Sequence, residues 1–263
     1  MSQYQAILNH IPPAMLVIFR IGGLMIYGPV FGAPVIPARV KVFLALLVGL
    51  AAYPLLSAEC LAGPAPALDL WSLAPLVAME LLIGLLVGYA ASIPLVAVQT
   101  GGLLMGQQMG LGFARFYNPG IDDEADIVGQ MLFFMALAGF LLIGGHEAMM
   151  AAILRSFQYI PLGGFAVDAD ILSLLAGMLL AAFELALRVA APVLALVFLE
   201  SLAMGYMAKT VPQLNILSLG FPIRILAGFA MILLALVVMN DVVMDGIDAV
   251  LNEIFLWVEG GQR

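Results

Sequence analysis

Long stretches without charged residues are the feature that most constrains the fold of this chain. Leu81 to Ala114 and Ile127 to Gly145 contain no Asp, Glu, Lys or Arg, and Val42 to Ala58 and Ile225 to Asn240 are shorter stretches of the same kind. A helix rises about 1.5 Å per residue and the hydrocarbon core of a bilayer is about 30 Å thick, so about 20 apolar residues make a span. The sequence therefore predicts an integral membrane protein with about six hydrophobic helical segments.

The composition indicates what must cover this apolar surface. Of the 263 residues, 64% are hydrophobic and 10% are charged, whereas soluble domains have roughly 45–50% and 25%. Because so few charges cannot cover that much apolar surface, membrane lipid or partner proteins must do so. The net charge of −8 and the lack of a Lys or Arg cluster argue against nucleic acid as a partner.

Prolines punctuate the apolar segments and predict broken or kinked helices. Pro29, Pro34 and Pro37 interrupt the first hydrophobic region. Further prolines inside or beside apolar runs are Pro75, Pro94, Pro192, Pro212 and Pro222. Non-helical backbone at membrane depth is tolerated only where protein or a water-filled cavity surrounds it. The pattern therefore favours a subunit surrounded by partners over a free-standing helical bundle.

The C-terminal segment has the pattern of an amphipathic helix. Acidic residues recur at near-helical spacing from Asp241 to Glu259, and most of the apolar residues fall between them. The acidic face disfavours an anionic lipid surface. We therefore expect a helix over 241–259 that packs on protein through Val250, Ile254 and Trp257.

The residues that catalysis or metal binding would need are missing. His146-Glu147 is not followed by the second histidine of a zinc-binding HExxH helix, and His10 is the only other histidine. Cys60 is the only cysteine, so a site built from several cysteines is excluded. The sequence predicts no catalytic, metal or cofactor site, and hence a protein that is not an enzyme.

Three acidic residues within apolar segments need an explanation, because a charge in hydrocarbon costs at least about 2.5–3.5 kcal/mol. They are Glu80, Glu184 and Glu200. Glu184 and Arg188 stand at i and i+4, the favourable order for a structural ion pair on a helix. Glu80 or Glu200 could instead form a midplane site, which leaves an ion-coupled transporter open as an alternative function.

The stretch from Gln99 to Gly120 combines a glycine series with bulky side chains. Gly102, Gly106 and Gly110 share one helix face, a spacing that favours close helix packing. Glycines, methionines and aromatic residues together can also fill a hole and still move. On these residues alone, two interpretations stay open: a glycine-packed helix that leads into a loop, or a deformable plug.

A series of short motifs lies in order along nearly the whole chain. They are Arg20, Pro29-Val30-Phe31, Ile36 to Lys41, Gly106 to Ala114, Asn118-Pro119, Gly145-His146, Pro161 to Gly163, Leu187 to Val193, Val211 to Ile216 and Gly220 to Ile223. In these motifs, at these spacings, the chain resembles the FliR/SctT family of type III secretion export gate subunits. That family includes the flagellar FliR proteins and the T-type components of injectisomes.

The resemblance implies an all-α fold of membrane-associated, kinked helical hairpins with a FliP-like and a FliQ-like portion. Residues 1–263 would form a single FliR-type subunit that assembles with FliP and FliQ, with FlhB associated. Unfolded flagellar proteins would be its substrates in transit. The expected location is the bacterial inner membrane, in the flagellar basal body.

The resemblance also implies a channel plug, a loop over about 106–122. The implied plug residues are Gly106, Gln107, Gln108, Met109, Gly110, Leu111, Gly112, Phe113, Ala114, Arg115, Phe116 and Tyr117. The acidic stretch Asp122 to Asp126 departs from the family pattern. The resemblance thus implies a non-enzymatic gate subunit of the flagellar type III export apparatus, with an injectisome T-type subunit as the alternative.

Overall fold

The chain forms an all-α fold, as the sequence predicts. The computed structural model describes residues 2–56, 70–111, 127–164, 169–211 and 216–260. Within these ranges the elements are helices only: α1 (Ser2–Tyr27), α2 (Ala38–Ala52), a 3-10 turn (Tyr53–Leu55), α3 (Leu70–Met109), α4 (Ile127–Leu142), α5 (Gly145–Tyr159), α6 (Ala169–Thr210) and α7 (Ile216–Gly260).

Five helices are long and apolar enough to cross a membrane when α2 is counted together with the 3-10 turn that follows it, and the bent pair α4 and α5 brings the number to six if it counts as one span. The prediction of about six hydrophobic segments is confirmed. Gly144, with φ of 75°, lies at the bend. A glycine adopts this left-handed conformation without the steric cost that a side chain would add.

The prolines interrupt fewer helices than the sequence suggested. α6 continues through Pro192 and α7 continues through Pro222. Helices in membranes tolerate proline because neighbouring groups can satisfy the backbone carbonyl that loses its donor. The helices are therefore not broken at these two prolines, whereas the region of Pro29 does separate α1 from α2.

The contacts divide the chain into two compact units, and α3, α6 and α7 contribute to both. Unit 1 comprises residues 1–93, 140–178 and 248–263, and unit 2 comprises residues 94–139 and 179–247. In unit 1, α1 and α3 touch through their backbones: a Cβ added to Gly84 would lie 2.9 Å from Gly23 Cα. Small residues at such crossings let helices pack closely without a hydrophobic driving force.

The predicted C-terminal amphipathic segment is the last part of α7, since the helix runs without interruption from Ile216 to Gly260. Among its apolar residues, Val250 and Ile254 are buried and Trp257 is half-buried. Asp241, Asp245, Asp248 and Glu259 are exposed. The helical spacing therefore separates a buried apolar face from an acidic exposed face.

Candidate functional site

Two adjacent glycines let the C-terminal half of α3 approach two other helices of unit 2. A Cβ on Gly101 would lie 2.7 Å from the carbonyl oxygen of Ala186 in α6. A Cβ on Gly102 would lie 2.7 Å from the backbone nitrogen of Gly129 in α4. Because the obstructing atoms are backbone atoms, no rotamer change could make room for a side chain at either position.

The end of α3 contains the first half of the implied plug. Gly106 has more room than Gly102, since a Cβ there would lie 3.8 Å from its nearest neighbours, in ordinary contact. Gln107 and Gln108 are exposed, and Met109, the last residue of α3, is fully buried. Gly110 has φ of 88° and turns the chain out of the helix.

The second half of the implied plug, Gly112 to Tyr117, lies outside the described residues. The acidic stretch Asp122 to Asp126 lies outside them too. The described part of the segment therefore consists of the last turn of α3, the turn at Gly110 and Leu111. These residues define where the implied plug begins.

A fully buried charge cluster lies in unit 1. Arg20 in α1 donates a hydrogen bond from Nε to Glu80 Oε2 in α3 over 2.5 Å, and both side chains have 0% exposure. The backbone N–H of Gly163 donates to the other oxygen of Glu80 over 2.8 Å. Arg20 also donates to Ser156 Oγ over 3.0 Å and to the carbonyl oxygen of Ile160 over 3.2 Å. Both carboxylate oxygens and the guanidinium are thus satisfied within the protein.

The cluster joins three helices and a turn. Arg20 comes from α1, Glu80 from α3 and Ser156 from α5, and Gly163 lies in the turn that follows α5. The Arg20 guanidinium also lies 4.3 Å from the centroid of the Phe157 ring, within cation–π range. A buried ion pair with so many hydrogen bonds holds its helices in one arrangement, and removing one partner would leave a charge unpaired.

Two further ion pairs lie in unit 2. Arg188 Nη2 lies 2.5 Å from Glu184 Oε1 along α6, and both side chains are exposed. Arg224 Nε in α7 lies 2.8 Å from Glu200 Oε2 in α6. The other oxygen of Glu200 is buried and has no hydrogen-bond partner among the described residues.

Sequence reasoning missed several residues of these sites. It singled out Arg20 and Glu80 separately, because 60 positions in the chain separate the two partners. Gly101 and Gly129 were also missed, since the glycine series drew attention to one face of α3 alone. No three His, Cys, Asp or Glu residues in the described ranges form a group that could hold a metal ion.

Substitutions at Gly102 and Gly106 provide a first test of the packing between α3 and α4. We expect Gly102→Ala to destabilise the protein by about 1–3 kcal/mol, the usual cost of overpacking, because α3 and α4 would have to move apart. Gly106→Ala has room for its Cβ and gains helix propensity of about 0.8–1.0 kcal/mol, so it should be neutral or stabilising. When the chain is purified together with its partner subunits, the temperature at which half of it is lost from the monodisperse peak in size-exclusion chromatography reports both effects. Equal midpoints for the two variants would contradict the assigned contact.

Comparison with known proteins identifies the family to which the chain belongs. Residues 11–250 match the family model described as bacterial export proteins, family 1. The flagellar biosynthetic protein FliR of Bacillus subtilis is 30% identical over 243 residues, which cover 90% of this chain and 91% of the relative. FliR of Escherichia coli is 29% identical over 216 residues, covering 81% and 80% of the two chains.

A relative with a different name matches over a shorter range. The Yop proteins translocation protein T of Yersinia pestis is 27% identical over 158 residues, covering 59% of this chain and 60% of the relative. Similarity to both groups agrees with the resemblance found in the sequence, since the FliR/SctT family includes flagellar FliR proteins and injectisome T-type components.

Proposed function

We propose that this chain, which belongs to the bacterial export proteins, family 1, is a non-enzymatic subunit of the flagellar type III protein export gate. In this gate it forms and plugs the channel through which unfolded flagellar proteins cross the inner membrane. The observation that carries the proposal is the similarity to FliR of Bacillus subtilis, which extends over 90% of the chain. FliP and FliQ are its proposed partners in the gate, with FlhB associated, in the flagellar basal body.

The exposed apolar surface of the helices supports a role inside an assembly. α2 and α7 are apolar enough to cross a membrane, yet only 17% of the most apolar window in each is buried within the chain. Large side chains such as Phe43 in α2 and Leu234 in α7 are exposed. Lipid or partner subunits must cover these faces, since large exposed apolar patches mark interaction surfaces.

The geometry at the end of α3 supports the proposal that the following segment is a plug. The helix is packed against α4 and α6 through Gly102 and Gly101, so its C-terminal part has a fixed position within unit 2. It then ends at Met109, and Gly110 turns the chain in a conformation that glycine adopts readily. A firmly held helix that ends in a glycine turn can hold the base of a seal, and the bulky residues Phe113 and Phe116 follow this turn in the sequence.

An injectisome T-type subunit is the second candidate, favoured by the similarity to the Yop translocation protein. The flagellar interpretation is preferred because that match covers 59% of this chain, against 90% for FliR of Bacillus subtilis. A test of export substrates distinguishes the two: a flagellar gate should export flagellar proteins, and its loss should abolish motility.

The ion-coupled transporter has less support from the geometry. A transport site needs a carboxylate that can exchange its ion, but both oxygens of Glu80 are held, by Arg20 and by the backbone of Gly163. Glu200 is paired with Arg224. These carboxylates therefore fit a structural role better than ion exchange.

The gate proposal is tested by purifying the chain with and without FliP and FliQ from the same organism. We expect a stable complex when the three are produced together and an aggregated or short-lived protein when the chain is produced alone, because its apolar faces would lack partners. FlhB produced alongside serves as a further binding partner, and an unrelated membrane protein of similar size serves as the control. A monodisperse chain that does not bind FliP or FliQ would refute the proposal.

A further inference from the structure

Met109 lies in a notch on α7. Gly228 is the sole buried residue in the segment of α7 from Gly220 to Met231. A Cβ added to Gly228 would lie 2.6, 2.7 and 2.8 Å from the Cγ, Sδ and Cε atoms of Met109, and these are its three nearest neighbours. The side chain of Met109 therefore covers a position where α7 has no side chain, and Met109 is itself fully buried there.

The notch requires a glycine. Methionine is flexible, and its terminal methyl group can move at little cost. The obstructing atoms, however, include Cγ, which lies near the start of the side chain. A Cβ on Gly228 would therefore force Met109 out of the notch or move the end of α3, since well-packed sites do not accept added atoms without such shifts.

The notch holds Met109, which lies in the first part of the segment that is proposed to seal the channel. Met109 is the last residue of α3, and the chain turns at Gly110 with φ of 88°. The two preceding residues, Gln107 and Gln108, are exposed. Met109 is thus the last buried side chain before that turn, and its position determines where the following residues begin.

We propose that Met109 and Gly228 are positioning residues of the seal: the notch anchors the base of the plug, and the resting gate stays closed only while Met109 is seated in it. This inference rests on the proposed plug function of residues 106–122. The anchor is a contact between one apolar side chain and a glycine, with no hydrogen bond or ion pair in it. Such a contact is non-directional, so it can be left and regained without breaking a polar network.

The test is single-channel recording from reconstituted gates that contain this chain with FliP and FliQ. We expect Gly228→Ala to raise the resting ion conductance several-fold while the subunit composition stays normal. Gly205→Ala is the matched control, because a Cβ at Gly205 has no neighbour within 4 Å and the two substitutions have the same effect on helix propensity. In a Met109→Ala background, Gly228→Ala should add no further conductance, since the atoms that it would displace are already gone.

A gate that lacks residues 110–116 is recorded in the same preparation. If this gate leaks but Gly228→Ala conducts like wild type, the notch inference is overturned and the plug proposal stands. If neither gate leaks, the plug proposal fails and the notch inference fails with it. If Gly228→Ala prevents assembly, Met109→Ala takes its place, because it empties the notch without adding atoms. Normal resting conductance in Met109→Ala gates would then overturn the inference.

Discussion

Arg20→Met should sharply reduce the amount of folded protein that can be recovered from the membrane. The substitution leaves the Glu80 carboxylate fully buried, with the backbone N–H of Gly163 as its remaining donor among the described residues. Breaking one side of a buried ion pair costs about 3–5 kcal/mol, a large part of the total stability of a typical domain, which is about 5–15 kcal/mol. Heat-treated samples of the complex with FliP and FliQ, analysed by size-exclusion chromatography, would report the loss as a lower midpoint temperature.

A second substitution should recover part of this loss. In the double variant Arg20→Met/Glu80→Gln the charge is gone, and the side-chain oxygen of the introduced glutamine can still accept the hydrogen bond from Gly163. Arg188→Ala is the control, because Arg188 and Glu184 are 64% and 60% exposed and exposed pairs of this spacing contribute about 0.3–0.5 kcal/mol. If Arg20→Met were no more harmful than Arg188→Ala, the cluster would not hold α1, α3 and α5 together.

Deletion of residues 110–116 should raise the resting ion conductance of the assembled gate by a large factor. A channel wide enough for an unfolded chain leaks ions unless something fills it at rest, and the deletion removes the glycine turn together with Phe113 and Phe116. Closure must also be easy to reverse. Apolar contacts are individually weak and non-directional, so a substrate can displace them more readily than a buried ion-pair network.

The measurement is single-channel recording, with subunit composition checked for every preparation. A control gate carries the same residues in shuffled order, which keeps the length and the composition of the segment. Equal resting conductance in the deleted and intact gates, at normal composition, would mean that partner subunits form the seal. A leak in the shuffled gate as well would show that the order of the glycines and aromatic residues matters.

Local sequence patterns predicted the helices but not the contacts between distant residues. The uncharged stretch from Leu81 to Ala114 was enough to predict most of α3, because length and apolarity define a membrane helix. The i, i+4 spacing likewise suggested the pair Glu184 and Arg188, whose side chains lie 2.5 Å apart. Arg20 and Glu80 could not be paired in this way, since their meeting depends on how α1 and α3 cross.

The same reason explains the glycines. A spacing of four residues indicates one face of a helix, but it does not say which glycine lies at the crossing point. In the structure, Gly102 makes the close contact with α4, whereas a Cβ at Gly106 would be in ordinary van der Waals contact with its neighbours. Gly228 does not belong to a glycine series in the sequence. Its role is apparent only from the structure, where the side chain of Met109 packs against it. A contact that depends on the position of another helix cannot be predicted from the residue pattern of one helix.

The length of α3 has a consequence for the membrane itself. α3 contains 40 residues, of which only Glu80 is charged, and 40 residues correspond to about 60 Å of helix at 1.5 Å per residue. A bilayer with a hydrocarbon thickness of about 30 Å could hold such a helix only at a tilt of about 60°, and observed tilts reach about 40°. Tilting alone therefore cannot remove the hydrophobic mismatch. The excess apolar length must be shielded by other proteins, or the lipid around this chain must deform.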